Sequence, residues 1–448
     1  MAAYDLPLTG PNSLDSVLAA DGLDTAAIQN ITNILNNAGD SGPLSVQIGG
    51  YPPFQLDANG QLPQVLIVPA STISVDTNLD PNLQVIVDPD ATITVTGSND
   101  VVVATGPGDN LVQLQDTGND VVLLGAGNNT VFGGAGSDSI YGGAGENALH
   151  AGTGDFQLLR GGPGDDSLWG GSGSSDTLSG GPGNDVLRAG TGDFQVLDGG
   201  PGNDTLWGGS GSADTLSGGP GNDVLHAGTG DFQVLDGDGG NDTLWGGAGS
   251  SDTLTGGTGN DVLHAGSGDY QFLEGGHGAN TLYGGTGSFD TVWGGGANDD
   301  LYAGSGSHQS LDGGSGNDTL WGGTGSWDTL SSGGSSDVIH GGTGTNEMLV
   351  GGNGGDNTIY AGTGGGDTLM GGGGNNTFHI SGQGSDTING GGGGDNTVNF
   401  DNHADNANVS ISTTTAGVTT VHFADTGQTF TVSHVTELVF DDNSHVNL

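Results

Sequence analysis

From residue 149 onward the apolar positions follow a step that neither a helix nor an ordinary strand produces. Leu149 is followed by Leu159, Leu168, Leu178, Leu187, Leu197, Leu206, Leu216, Leu225, Leu235, Leu244 and Leu254, so the step alternates between ten and nine residues. A helix repeats every 3.6 residues and a half-buried strand every two. One buried side chain per short strand, with Gly-rich turns between, predicts a solenoid whose coil holds two strands and two turns in 19 residues. Gly suits the turns because stacked turns need positive φ and close backbone approach. Residues 161–198 recur almost verbatim as 199–236, a period of 38, or two coils.

The flanks follow other patterns. In 24–39, DTAAIQNITNILNNAG places Ile28, Ile31, Ile34 and Leu35 at helical spacing, with Asp24 as N-cap and Gly39 as stop, and predicts one helix. PQVLIVPAST and LQVIVDPDATITV predict strands, and the Gly-poor tail reads as β through NVSIST, GVTTVHFA and QTFTVSHVTELVF. The expected fold is all-β: an N-terminal cap and assembly region over 1–95, a parallel β-solenoid over 96–400 and a β-rich C-terminal cap over 401–448.

Charge changes the picture. The chain carries 52 acidic residues against two basic ones, Arg160 and Arg188, and has a formal net charge of −50. Nucleic acid is excluded as a partner, since phosphate binding needs basic patches. Self-repulsion also disfavours a compact metal-free state. The acids are nearly all Asp and recur at one position of the repeat, which points to a bound cation rather than a merely acidic surface. No Cys is present, so disulfides and zinc–thiolate sites are excluded. MAAYDLPLTGPN has neither a charged n-region nor an apolar h-region, so no Sec-type signal is expected. No apolar run approaches the roughly 18 residues of a membrane span.

Units such as GGPGNDVLR (180–188) and GGTGNDVLH (256–264) match GGxGxDxUx, the pattern of the calcium-binding nonapeptide of RTX proteins. The array thus resembles the RTX (repeats-in-toxin) family over about 300 residues. That resemblance implies a parallel β-roll with Ca²⁺ in its turns and type I secretion guided by an uncleaved C-terminal signal. It also implies folding in extracellular calcium. VSHVTELVFDDNSHVNL is similar to the segment that closes such proteins.

The family pattern is nine plus nine; this chain uses nine plus ten, so its two rows of turns differ chemically. In the nine-residue row Asp166, Asp185, Asp204, Asp223, Asp242, Asp261, Asp299, Asp318 and Asp337 stand two before the core residue, with Asn280 the exception. Stacked coils set such carboxylates about 4.8 Å apart, a spacing that calls for a hard dication with oxygen ligands. In the ten-residue row Asp176, Asp214, Asp252, Asp290 and Asp328 alternate with Gln157, Gln195, Gln233, Gln271 and Gln309, so calcium is expected to be sparse there. Beside each Gln lies Phe156, Phe194, Phe232, Tyr270 or His308.

The outward residue after each core position makes a candidate assembly or ligand face. Trp169, Trp207, Trp245, Tyr283 and Trp321 alternate with His150, Arg188, His226, His264, Tyr302 and His340; on the opposite side lie Asp198, Asp236, Glu274 and Asp312. Each series repeats at roughly 9.6 Å, two strand spacings, and suits a periodic partner: a second copy of the chain or a polysaccharide. G-x-G-x-x-G strings open no helix, and no G-x-S-x-G elbow or metalloprotease His pair occurs. The expected protein is not an enzyme. It is a secreted, calcium-folded extracellular structural subunit of a filament, surface layer or biofilm matrix. The alternative is a carbohydrate- or surface-binding adhesin using the Trp ladder.

Overall fold

The computed structural model describes residues 3–6, 44–48, 65–68, 72–79, 84–87, 90–382, 384–402 and 409–448. The predicted helix over 24–38 lies outside them. The chain divides into two compact units, Met1–Pro220 and Gly221–Leu448. The predicted all-β parallel solenoid with 19-residue coils is what the chain forms. The one helical element among the described residues is a 3-10 turn at Thr77–Leu79. No helix among them is long and apolar enough to cross a membrane.

In the first unit the chain alternates between two parallel sheets. One, the aromatic sheet, contains Thr130–Phe132, Ala148–His150, Ser167–Trp169, Val186–Arg188 and Thr205–Trp207. The other, the acidic sheet, contains Ser139–Tyr141, Leu158–Arg160, Thr177–Ser179, Val196–Asp198 and Thr215–Ser217. Register is strict, Leu168 opposite Leu187 and Leu178 opposite Leu197. Parallel stacking begins well before residue 96, since Leu44–Ile48, Val65–Val68, Gln84–Val87 and Val102–Thr105 pair in succession. Ala3–Leu6 runs antiparallel on the first of these.

The second unit repeats the plan, with Val224–His226 to Thr397–Phe400 in the aromatic sheet and Val234–Asp236 to Thr387–Asn389 in the acidic one. It is closed by a different structure. Val409–Thr413, Val418–Phe423 and Thr429–Ser433 form an antiparallel meander whose last strand pairs with Thr387–Asn389. Glu437–Phe440 adds to Thr397–Phe400 and is itself covered by His445–Asn447. Phe400, Phe423, Phe430 and Phe440 pack ring to ring there, so aromatic bulk and antiparallel edges end the ladder where an open edge would invite pairing.

The core of each coil is one residue wide. Every Leu of the step is fully buried between the two sheets, and each contributes about 1.5–3 kcal/mol of burial. Three-residue strands add few ladder bonds, so the turns decide the stability of a coil. They stack so closely that a Cβ on Gly200 (φ +95°) would lie 2.5 Å from the carbonyl oxygen of Gly181. No other residue combines that φ with that approach.

Candidate metal centre

The nine-residue turns deliver the chain into the aromatic sheet, and their Asp side chains turn inward. Asp166, Asp185 and Asp204 of the first unit, and Asp223, Asp242, Asp261, Asp299, Asp318 and Asp337 of the second, are buried. One carboxylate oxygen is used locally. The Asp166 N–H donates to Asp185 Oδ1 at 2.6 Å, that of Asp242 to Asp261 Oδ1 at 2.9 Å and that of Asp318 to Asp337 Oδ1 at 2.8 Å. The other oxygen, Oδ2 of Asp166, Asp185, Asp242, Asp261, Asp299, Asp318 and Asp337, has no partner. It faces a carbonyl of the neighbouring turn: a Cβ on Gly256 would sit 2.6 Å from both Asp261 Oδ2 and Gly275 O. The same point at Gly294 is 2.7 Å from Asp299 Oδ2 and Gly313 O.

A buried carboxylate oxygen with no hydrogen-bond partner beside a turn carbonyl calls for a proton or a cation. Burial, reinforced by neighbouring carboxylates, pushes the pKa values of Asp185, Asp242 and Asp318 up to about 7. Among the described residues no three His, Cys, Asp or Glu side chains converge. A cation here would therefore take carboxylate oxygens from few side chains and complete its shell from turn carbonyls. That all-oxygen donor set fits Ca²⁺. When bound, the ion would supply the positive charge that these inward carboxylates lack and tie one coil to the next.

The ten-residue turns use the same position differently. Asp176, Asp214, Asp252, Asp290 and Asp328 are equally buried, and so are the alternating Gln residues. Gln195 Nε2 reaches back to donate to Gly173 O at 2.7 Å and Asp176 Oδ2 at 3.4 Å. Gln271 Nε2 donates to Gly249 O at 2.9 Å and Asp252 Oδ2 at 3.3 Å, and Gln309 Nε2 to Gly287 O at 3.1 Å and Asp290 Oδ2 at 3.3 Å. Asp328 lacks this help because the next coil offers Glu347, an acceptor, and the outer oxygens of both, with that of Asp367, are unpartnered.

Sequence reasoning overlooked the continuation of both rows. Asn110, Asn129 and Asn147 precede the nine-residue Asp series, and Asn357, Asn376 and Asn396 follow it, all buried. Asp120 and Asp138 open the ten-residue row, with Asp116 buried nearby, and Glu347, Asp367 and Asp386 close it. Burial first, then the nearby Asp116 and Asp138 carboxylates, pushes Asp120 up to about 8; burial and Asp367 push Glu347 to about 7. The signal was the same one, the residue two before each core position, but Asn reads as an ordinary turn residue.

On the outward face the two alternating series interleave as stacked rings. In the first unit Trp169 stacks on His150 with ring centroids 4.2 Å apart, and the Arg188 guanidinium lies 4.3 Å from the Trp207 ring centroid. In the second, Trp245 lies between His226 at 6.2 Å and His264 at 3.9 Å, Tyr283 stacks on His264 at 4.6 Å, and Trp321 on His340 at 3.8 Å. The His rings fill the spaces between Trp rings because parallel in-register strands superpose consecutive outward residues. Burial lowers the pKa values of His226 and His264, which keeps them neutral near pH 7 rather than free to meet carboxylates. On the acidic sheet Asp198 is exposed and Asp236 half-buried, its Oδ1 accepting the Asp238 N–H at 3.1 Å.

The ten-residue turns hold the most exposed rings. Phe156, Phe194, Phe232 and Tyr270 all have φ of 61°, Phe289 65° and Trp327 67°. Phe156 is 68% and Trp327 58% exposed. A left-handed conformation costs a residue with a Cβ roughly 1–2 kcal/mol. The coil offsets part of it through backbone bonds such as Phe156 N–H to Ser174 O at 2.9 Å and, in the second unit, through stacking of Phe289 on Tyr270 and His308.

The family model of the RTX calcium-binding nonapeptide repeat (4 copies) matches residues 116–149, 151–174, 171–193, 195–212, 210–231, 234–251, 249–269, 274–307, 312–348, 351–379 and 361–397, more than half of the chain. No curated protein matches it.

Proposed function

The chain belongs to the RTX calcium-binding nonapeptide repeat family, and on that premise we propose that it is a calcium-folded extracellular structural protein that self-assembles. RTX repeat proteins are typically secreted by the type I route, and the reading takes this chain to be one of them, its last strands carrying the export signal. The observation that carries the calcium-folded part is the series of buried Asp oxygens without a partner, those of Asp166, Asp242, Asp261 and Asp299 lying beside a carbonyl of the neighbouring turn. Calcium placed there would convert the least stable feature of the metal-free coil into its main cross-link, and folding would be coupled to binding.

Self-assembly is the reading of the exposed turn tips. In the first unit Phe156 and Phe194 alternate with the small residues Ser175 and Ala213 at the equivalent position of intervening turns, so rings and gaps alternate along one edge of that unit. A second copy supplies the matching periodicity. The role is non-catalytic. The polysaccharide alternative has less support along the Trp series: sugars stack on ring faces, and one face of Trp245 is taken by His264 at 3.9 Å.

Negative-stain microscopy of the full chain with millimolar Ca²⁺ and with EDTA tests the reading. Ordered polymers in calcium that shorten or disperse in Phe194→Ser with Phe232→Ser support it. Dispersed rods that instead bind a polysaccharide would replace it with an adhesin.

A further inference from the structure

Two buried amides meet in one coil of the second unit. We propose that Gln271 and Asn280 stand in for bound cations, so that this coil folds without metal and divides the calcium series of the unit into two segments that load independently. The inference rests on the reading that calcium fills the Asp turns.

Asn280 shows the substitution directly. Beside Gly256, the point 2.6 Å from Gly275 O is also 2.6 Å from the unpartnered Asp261 Oδ2. Beside Gly275, the corresponding point is 2.6 Å from Gly294 O and 2.7 Å from Asn280 Nδ2. An acceptor facing an acceptor has become a donor facing an acceptor. Asn280 Nδ2 also donates to Gly278 O of its own turn at 3.1 Å. The pattern is general for the row: Asn376 Nδ2 donates to Gly373 O at 3.1 Å, Gly390 O at 3.2 Å and Asn396 Oδ1 at 3.1 Å. One NH₂ group thus gathers the oxygens that a cation would gather. It also removes the carboxylate charge that offsets the dehydration of a dication.

Gln271 does the same on the other side of the coil. Its Nε2 joins the Gly249 carbonyl to Asp252 Oδ2, and its Oε1 accepts the Gly266 N–H at 3.0 Å. From Gln157 to Asp337 this is the one coil with an amide in both rows; elsewhere at least one of the two positions is Asp.

The backbone gives a second, independent sign. Strands Thr253–Thr258, Phe272–His277, Thr291–Gly296 and Ser310–Ser315 have six residues, against three in Val234–Asp236 and Thr329–Ser331. The added length continues the ladder into the nine-residue turns, where Gly257 pairs with Gly276, Gly276 with Gly295 and Gly295 with Gly314. Ladder bonds are most extended around the coil that has an amide at the inward position of both its turns.

The test is a calcium titration of the full chain followed by circular dichroism, with bound calcium counted by elemental analysis. Asn280→Asp is expected to add about one bound calcium per chain and to merge two titration phases into one steeper transition. The complementary Asp261→Asn is expected to lose about one calcium while keeping the saturated β signal, and it decides the matter if Asn280→Asp fails to fold. An unchanged calcium count in a folded Asn280→Asp, or loss of fold in Asp261→Asn at saturating calcium, overturns the inference. A wild-type chain whose β signal does not respond to calcium would instead overturn the calcium-folded reading beneath it.

Discussion

The nine-residue and ten-residue turns begin from nearly the same words, GGPGND and GGSGSSD, and differ by one residue. That residue takes the left-handed conformation, as at Ser175, Phe194 and Ser251. In the shorter turn the side chain two before the core position is Asp or Asn, and it stays beside its own turn and the next. In the longer turn Gln is admitted, and its extra methylene lets the amide reach the carboxylate of the coil before it. One inserted residue thus separates a row that must import its positive charge from a row that half-supplies its own donors.

The largest test of this comparison removes the imported charge altogether. In EDTA at pH 7.5 the far-ultraviolet β signal should fall to that of a mostly disordered chain and return with Ca²⁺ but not Mg²⁺, whose shell is tighter and octahedral. A full signal in EDTA would mean that the Asp oxygens need no counter-charge.

Protons should substitute for calcium next. Burial raises the pKa values of Asp166 and Asp299 to about 6, and of Asp185, Asp242 and Asp318 to about 7, from an ordinary 3.8. The folded metal-free chain therefore holds protons that the unfolded chain has released. Its stability is fully present below the ordinary carboxylate range and is lost as pH rises through about 6 to 7. Circular dichroism in EDTA should show β signal growing as pH falls from 7.5 toward 4.5. With calcium the sign reverses, since the ion competes with those protons and its apparent affinity rises over the same interval.

Single substitutions then set one row against the other. Asp185→Asn should lower calcium binding and cost on the order of 1–3 kcal/mol in calcium, measured by denaturation at fixed free Ca²⁺. Asp252→Asn should cost less and leave the bound calcium nearly unchanged, because Gln271 already serves its outer oxygen. Equal losses from the two variants would erase the distinction between the rows. The smallest effect belongs to the inserted residue itself. Phe194→Gly should stabilise the monomer by roughly 1 kcal/mol through relief of the left-handed conformation, while weakening association between copies.

How much of this could be read in advance varies with the kind of interaction. The coil was legible because one Leu per strand leaves a step of nine and ten that no other architecture makes, and the buried Asp rows followed from counting back two. Asn110, Asn147 and Asn376 were not legible, because Asn is at home in any turn and its role depends on which carbonyls surround it. The reach of Gln271 is a three-dimensional fact, set by the extra residue in its turn. Trp245 and His264 belong to separate sequence series, yet parallel register lays them face to face. A run of aromatic letters therefore signalled a surface while concealing that its members cover one another.

The one-residue core has a genetic consequence. Coils with three-residue strands, such as those of 161–236, share one backbone and packing plan, so the gene can lengthen or shorten there by copying whole coils while both ladders stay intact. Loss of 19 residues keeps every Leu in register but sets like over like in the alternating series, as Trp169 over Trp207 when 180–198 is lost. Loss of 38 preserves those alternations as well. Unequal recombination between nearly identical segments, such as 161–198 and 199–236, offers that larger step directly. Selection that keeps the amide and carboxylate alternation will then leave lineages that differ in length by pairs of coils.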